Sequence, residues 1–226
     1  MIPFDQQYLL MVVPALVLAM IAQMMVKTTF AKYSKMASYS GLTGAQAAER
    51  MLRSSGIFDV TVEPAQGFLS DHYDPSRKVI RLSPDVYQSN SLAAVGVACH
   101  EAGHALQHAE SYAPLALRTL LVPVTNISSH LAGYVFIFGL ILQFDMLLLI
   151  GCGMFAVAFV FALVTLPVEW DASVRAKQHI AMAGVVSPTQ EGDAAKVLNA
   201  AFLTYVAGAI VSLMTLIHFL MRANRR

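Results

Sequence analysis

Four stretches of this chain stay apolar for about the thickness of a lipid bilayer, and they limit the fold more than any other feature. The first runs from Gln7 to Val26. The second, from Leu120 to Leu166, is interrupted near its middle by Asp145. One crossing needs about 20 residues, so this stretch reads as two helices, at about 119–143 and about 147–166. The last run extends from Asn199 to Met221. Lipid offers no hydrogen bonds to a backbone, so each run must close its own bonds as a helix. Composition agrees: 57% of the 226 residues are hydrophobic and 13% charged, against about 25% charged in a soluble domain. The mean hydropathy is +0.59. A net charge of +1, with no basic tract carrying interleaved aromatics, argues against nucleic-acid binding. Two cysteines, Cys99 and Cys152, make no disulfide framework.

No basic residue precedes the first run, whereas Lys27, Lys32 and Lys35 follow it. A cleaved signal peptide has the opposite order and a shorter apolar core, so a retained helix with a kink at Pro14 is expected. Asn126, Ser128, Ser129 and His130 fall inside the second run. They are expected to face other helices or the site, because lipid cannot satisfy them.

The least apolar part lies between the first two runs. Thr43-Gly44-Ala45-Gln46 has capping-box spacing and opens an amphipathic helix ending near Gly56. Strand-like pieces follow at Phe58 to Glu63, Gly67 to Ser70 and Lys78 to Leu82, with turn chemistry at Asp71 to Pro75. Ser83-Pro84-Asp85 starts a short helix, and Ser91 starts another over about Leu92 to Glu110. With four crossings, the segments from Lys27 to Arg118 and from Pro167 to Lys196 share one side. They carry twelve of the fifteen Lys and Arg, leaving Arg222, Arg225 and Arg226 opposite. An excess of basic residues marks the cytoplasmic side.

The helix after Ser91 carries His100-Glu101-Ala102-Gly103-His104. Positions i and i+4 share a helix face, so His100 and His104 can hold one zinc ion from the same side. Glu101 is placed to take a proton from water at that ion. A third protein ligand is required, with one position left open. His108 continues the spacing, but two helical turns put it about 12 Å from His100, too far for bonds near 2 Å. No glycine turns the chain between His104 and His108, so His108 suits the helix C-terminus or a supporting hydrogen bond. Cys99 points about 100° away from His100. His72, His130, His179 and His218 are weaker candidates. Leu166-Pro167-Val168-Glu169-Trp170-Asp171 leaves the third crossing with two carboxylates. Glu169 is the expected third ligand, with Asp171 as its rival, unless Asp171 merely pairs with Arg175 at i, i+4. Ala172, Ser173 and Ala176 are small enough for this segment to approach another helix closely. Gly103 inside the motif helix points the same way.

Together with Ser70-Asp71-His72-Tyr73-Asp74-Pro75 upstream and Leu166-Pro167-Val168-Glu169-Trp170-Asp171-Ala172-Ser173 downstream, the motif resembles the YugP-type membrane zinc metallopeptidases of bacteria. The resemblance covers most of the chain, including its apolar runs. More distantly the chain resembles the HtpX-like and CAAX-prenyl-type membrane peptidases. There a glutamate on a downstream helix completes the zinc site, and an aspartate four residues later supports it. Carried over, the glutamate is Glu169, while Ser173 stands where the aspartate would be.

The expectation is therefore a mainly α membrane protein with about four transmembrane helices. A zincin-like cytosolic α+β portion would carry a small sheet and the motif helix. The organisation would be a first crossing at 1–27, a peptidase portion at 28–118, two crossings at 119–166, the third-ligand helix and loop at 167–198, and a last crossing with its basic tail at 199–226. One Zn2+ would be held by His100, His104 and Glu169, with Glu101 as general base. Such a protein would hydrolyse membrane or unfolded polypeptides at the cytoplasmic face of a bacterial plasma membrane, a protein quality-control role. Arg175, His179 or His72 would steady the oxyanion, and one strand, Lys78 to Leu82 first among them, would offer an edge to an extended substrate. A homo-oligomer or a regulatory membrane partner is left open. Rival readings are a non-catalytic zinc-stabilised scaffold, an intramembrane protease and a metal transporter. Against the intramembrane protease, the apolar stretch beside the motif is only Leu92 to Cys99.

Overall fold

The computed structural model describes residues 6–67 and 70–224. Four long helices dominate: α1 (Gln6–Tyr33), α5 (Ala113–Leu142), α6 (Asp145–Met182) and α7 (Glu191–Ala223). All four are long and apolar enough to cross a membrane. Each outruns its apolar stretch, because a helix continues for as long as its backbone bonds persist, whatever the polarity of its side chains. α6 runs through Pro167 without a break. A proline there forfeits one intrahelical bond. Between α1 and α5 lie α2 (Gly44–Ser54), β1 (Thr61–Pro64), β2 (His72–Asp74), β3 (Val79–Leu82), the one-turn α3 (Pro84–Tyr87) and α4 (Leu92–Ala109).

The chain divides into two compact units. One gathers the chain up to Gln23, Ala116–Pro167 and the chain from Leu203 onward. Its interior holds Phe136, Leu148 and Cys152, with the Phe219 ring tilted against Phe136 at 4.1 Å and stacked on Phe155 at 4.4 Å between centroids. Ser128 is buried here, as expected. Asn126, Ser129 and His130 are exposed, contrary to the expectation that they face neighbouring helices. His130 instead places Nδ1 2.7 Å from the carbonyl oxygen of Asn126, one turn back on its own helix, which gives that nitrogen a local partner.

The second unit comprises Met24–Leu115 and Val168–Phe202. The capping box at Thr43 forms, with the Thr43 hydroxyl accepting from Gln46 N and the Gln46 side chain accepting from Thr43 N. It starts α2 so that Ala47, Ala48, Met51 and Leu52 turn inward against α4. The sheet has the order β1-β3-β2, with β1 parallel and β2 antiparallel to β3. Two strand expectations shift. The second strand is His72–Asp74, inside the segment read as a turn, and Phe68 and Leu69 of the expected piece lie outside the described residues. The turn sits one step later, where Asp74 Oδ1 accepts from Ser76 N and Arg77 N at 3.0 and 3.2 Å. Lys78 closes it at φ 54°. β3 is the central strand, paired on both sides, and so offers no free edge to a substrate. Strand order depends on which pieces meet in space, and composition does not encode that.

Val168, Ala172, Ala176 and Ile180 recur every fourth residue of α6 and are fully buried. This stripe, with two alanines at its middle, brings α6 onto α4. A Cβ on Gly103 would stand 2.5 Å from the Ala172 carbonyl oxygen, so only glycine allows that approach.

Candidate metal centre

Ser91 caps α4, its hydroxyl accepting from Ala94 N at 3.2 Å. Nine residues on, His100 begins the motif, and helical pitch places His104 over it. The two rings meet edge to face with centroids 4.9 Å apart. Both Nε2 atoms turn to one oxygen of Glu169 on α6. Oε2 lies 3.1 Å from Nε2 of His100 and 3.7 Å from Nε2 of His104. Glu169 is 1% exposed. Among the described residues these three form a group able to hold a metal ion, with candidate ligand atoms within 4.8 Å of one another. The fit can be judged from geometry. Donors bound at about 2.0–2.2 Å to a tetrahedral ion stand roughly 3.3–3.5 Å apart, between the two observed distances. Two imidazoles and a carboxylate are also ordinary zinc donors.

The charges answer each other. Burial alone would raise the Glu169 carboxyl, but its bonds to His100 and His104 outweigh burial and hold it well below the usual carboxylate range. Burial alone would lower the His104 imidazole. Its bond to Glu169, the charges of Glu101 and Glu169 and its bond to Gln107 outweigh that and raise it. Glu101 sits 8% exposed on α4 beside His100, outside the three-residue group.

The remaining imidazole faces are supported from α4 and α6. Nδ1 of His104 lies 3.0 Å from Oε1 of Gln107. Gln107 Nε2 donates to the Val168 carbonyl at 2.7 Å and to Asp171 Oδ2 at 2.9 Å. Asp171 in turn accepts from Arg175 Nε at 2.5 Å, and Arg175 Nη1 also donates to Glu110 at 2.5 Å. Nδ1 of His100 lies 3.3 Å from the Ser173 hydroxyl. The serine at that position therefore faces the first histidine of the motif. Asp171 is outside the candidate group and meets Gln107, which in turn faces His104.

The other candidates lie elsewhere. His108 Nδ1 is 2.7 Å from the Tyr73 hydroxyl, whose pKa burial pushes up to about 12, helped by Asp59 and Asp74. His72 is exposed, with Nδ1 2.7 Å from the Ser70 carbonyl. His179 lies 3.0 Å from the Ser55 hydroxyl. His130 and His218 belong to the other unit. The Cys99 thiol is fully buried, and burial pushes it up to about 12. The sequence does not reveal the contact of Gln107 with His104 or that of Tyr73 with His108. Gln107 is the findable one, the lone amide of α4, three residues after His104 and so on the same helix face.

The family described as "Putative neutral zinc metallopeptidase" matches residues 8–224. The "Putative membrane protease YugP" of Bacillus subtilis (strain 168) is 48% identical over 214 residues, covering 95% of each chain. No solved structure matches with significance. The chain belongs to this family of neutral zinc metallopeptidases.

Proposed function

We propose that this member of the neutral zinc metallopeptidase family is a membrane-bound endopeptidase. It hydrolyses peptide bonds of membrane or unfolded proteins near the cytoplasmic face, with one zinc held by His100, His104 and Glu169. The carrying observation is the convergence of both motif Nε2 atoms on one buried Glu169 oxygen while Glu101 stays outside the group. Three protein donors leave one coordination position free, as hydrolysis requires, whereas a structural zinc site closes with four. When bound, zinc supplies a Lewis acid and lowers the pKa of water towards 7. Glu101, next to the ligands but not among them, takes a proton from the attacking water and later delivers it to the leaving amine. Gln107 and Ser173 hold the two imidazoles in place from behind. An extended substrate would pair with β2, a sheet edge that packs beside α4, rather than with the central β3. The cytoplasmic placement rests on the distribution of Lys and Arg along the chain. Only two residues separate Leu166, where an apolar run ends, from Glu169, which keeps the ligand close to a membrane boundary along the chain.

The test is the full chain in detergent or bilayer, with metal content and cleavage of an unfolded protein measured together. Wild type should carry one zinc per chain and cleave. Glu101→Gln should keep the zinc and lose activity by about 10²–10⁴-fold. A wild type without zinc, or a Glu101→Gln variant that cleaves normally, sinks the reading.

A further inference from the structure

We infer that Gln107 is a positioning residue that dictates which nitrogen of His104 meets the metal and ties α4 to the backbone beside Glu169. The inference rests on His104 and Glu169 being ligands. The argument is one of donors and acceptors. Gln107 is 0% exposed, so its amide must find all its partners within the protein. It meets three atoms: Nδ1 of His104 at 3.0 Å, the Val168 carbonyl oxygen at 2.7 Å and Asp171 Oδ2 at 2.9 Å. A backbone carbonyl only accepts. The Asp171 carboxylate, held by Arg175, only accepts as well. Both therefore require the NH2 end of the amide, which has two hydrogens to give. Turning the amide over would set its oxygen against two acceptors at hydrogen-bond distance. Its oxygen consequently faces His104, and Nδ1 of that ring must carry the hydrogen. In the neutral imidazole that ligation requires, the lone pair is then on Nε2, the atom that faces Glu169.

His100 is not constrained in this way. Its Nδ1 faces the Ser173 hydroxyl, which can donate or accept. The two motif imidazoles are therefore held by different rules, one by an amide with a single workable orientation and the other by a rotatable hydroxyl. Gln107 also reaches the third ligand. Val168 directly precedes Glu169, so the bond to its carbonyl pins the backbone from which Glu169 projects. A single buried side chain in this way sets two of the three donors.

A Gln107 that merely packed the two helices would affect stability and nothing specific to the metal. Gln107→Met keeps the length and apolar volume of the side chain and removes all three bonds. Zinc affinity, read by competition with a chelator, should fall by about 10–100-fold. The electronic spectrum of the cobalt(II)-substituted protein should also change, since the ring is free to rotate. If wild type binds zinc and Gln107→Met keeps the same affinity and cobalt spectrum, the inference is overturned while the proposed zinc site stands. If wild type binds no zinc, the site itself falls. Should Gln107→Met not fold, ¹⁵N NMR of histidine-labelled, zinc-loaded wild type decides the question. A directly bonded proton on His104 Nδ1 supports the inference, and a metal-bound or proton-free Nδ1 defeats it.

Discussion

The carbonyl oxygen of Ala172 lies 2.5 Å from the point where a Cβ on Gly103 would stand. The clash would be with backbone, which cannot swing aside as a side-chain tip can. Gly103 sits one residue before His104, and Ala172 three residues after Glu169, so this approach sets the gap across which the candidate donors meet.

Gly103→Ala should therefore destabilise the protein and strip its zinc, although alanine is better suited to a helix by about 1 kcal/mol. Forcing the helices apart costs about 1–3 kcal/mol. Denaturation with metal analysis tests this. A variant as stable and as zinc-rich as wild type would mean that the approach is not required.

Glu169→Gln should lose bound zinc, whereas Asp171→Asn and His108→Ala should retain it. Asp171 lies behind Gln107, and His108 faces Tyr73, so neither offers a donor to the group. Asp171→Asn should still weaken zinc binding, by up to about 10–100-fold, because it loosens the support of Gln107. Equilibrium dialysis of the three variants distinguishes these outcomes. Zinc lost from His108→Ala alone would relocate the site.

Protons compete for the same donors. The folded-state pKa of His104 is raised, so in the metal-free protein its stabilising contribution is full below about pH 6.5. It is lost as pH rises through the folded value. Zinc requires the neutral ring, so its affinity should run the other way, rising from pH 6 to pH 8 with proton release. The gap in melting temperature between zinc-loaded and metal-free protein should widen with pH. A gap that narrows would contradict the assignment.

Asp74 gives an acid-side prediction. Its pKa is lowered from 3.8 to about 2, chiefly by the Ser76 hydroxyl and against the effect of burial, with further help from the Arg77 and Ser76 amides and Arg81. Its contribution to stability is present above the unfolded value and disappears as pH falls from about 3.8 towards 2. Asp74→Ala should loosen the β2–β3 turn by about 1 kcal/mol for each amide bond lost. Hydrogen exchange at Ser76 and Arg77 should then quicken while that at His100 and His104 does not. Equal quickening throughout would mean that the turn is not a separable element.

Much of this architecture can be read along the chain because the deciding interactions are local. Apolar runs about as long as a bilayer is thick, the Thr43 capping box and the meeting of His100 with His104 need only helical pitch and near neighbours. The longer-range features are different in kind. Ser173 facing His100, Gln107 spanning two helices and β3 lying between β1 and β2 each depend on surfaces brought together from distant segments.

Spacing alone makes His100 and His104 neighbours, since any helix over that segment stacks them one turn apart. It also makes long helices of the apolar stretches, because lipid and water both favour closed backbone bonds there. Spacing could not choose between Glu169 and Asp171, which point from α6 in directions about 160° apart. The buried stripe of Val168, Ala172, Ala176 and Ile180 meets a glycine on α4, and that packing turns Glu169, the expected candidate, onto the imidazoles and leaves Asp171 behind Gln107.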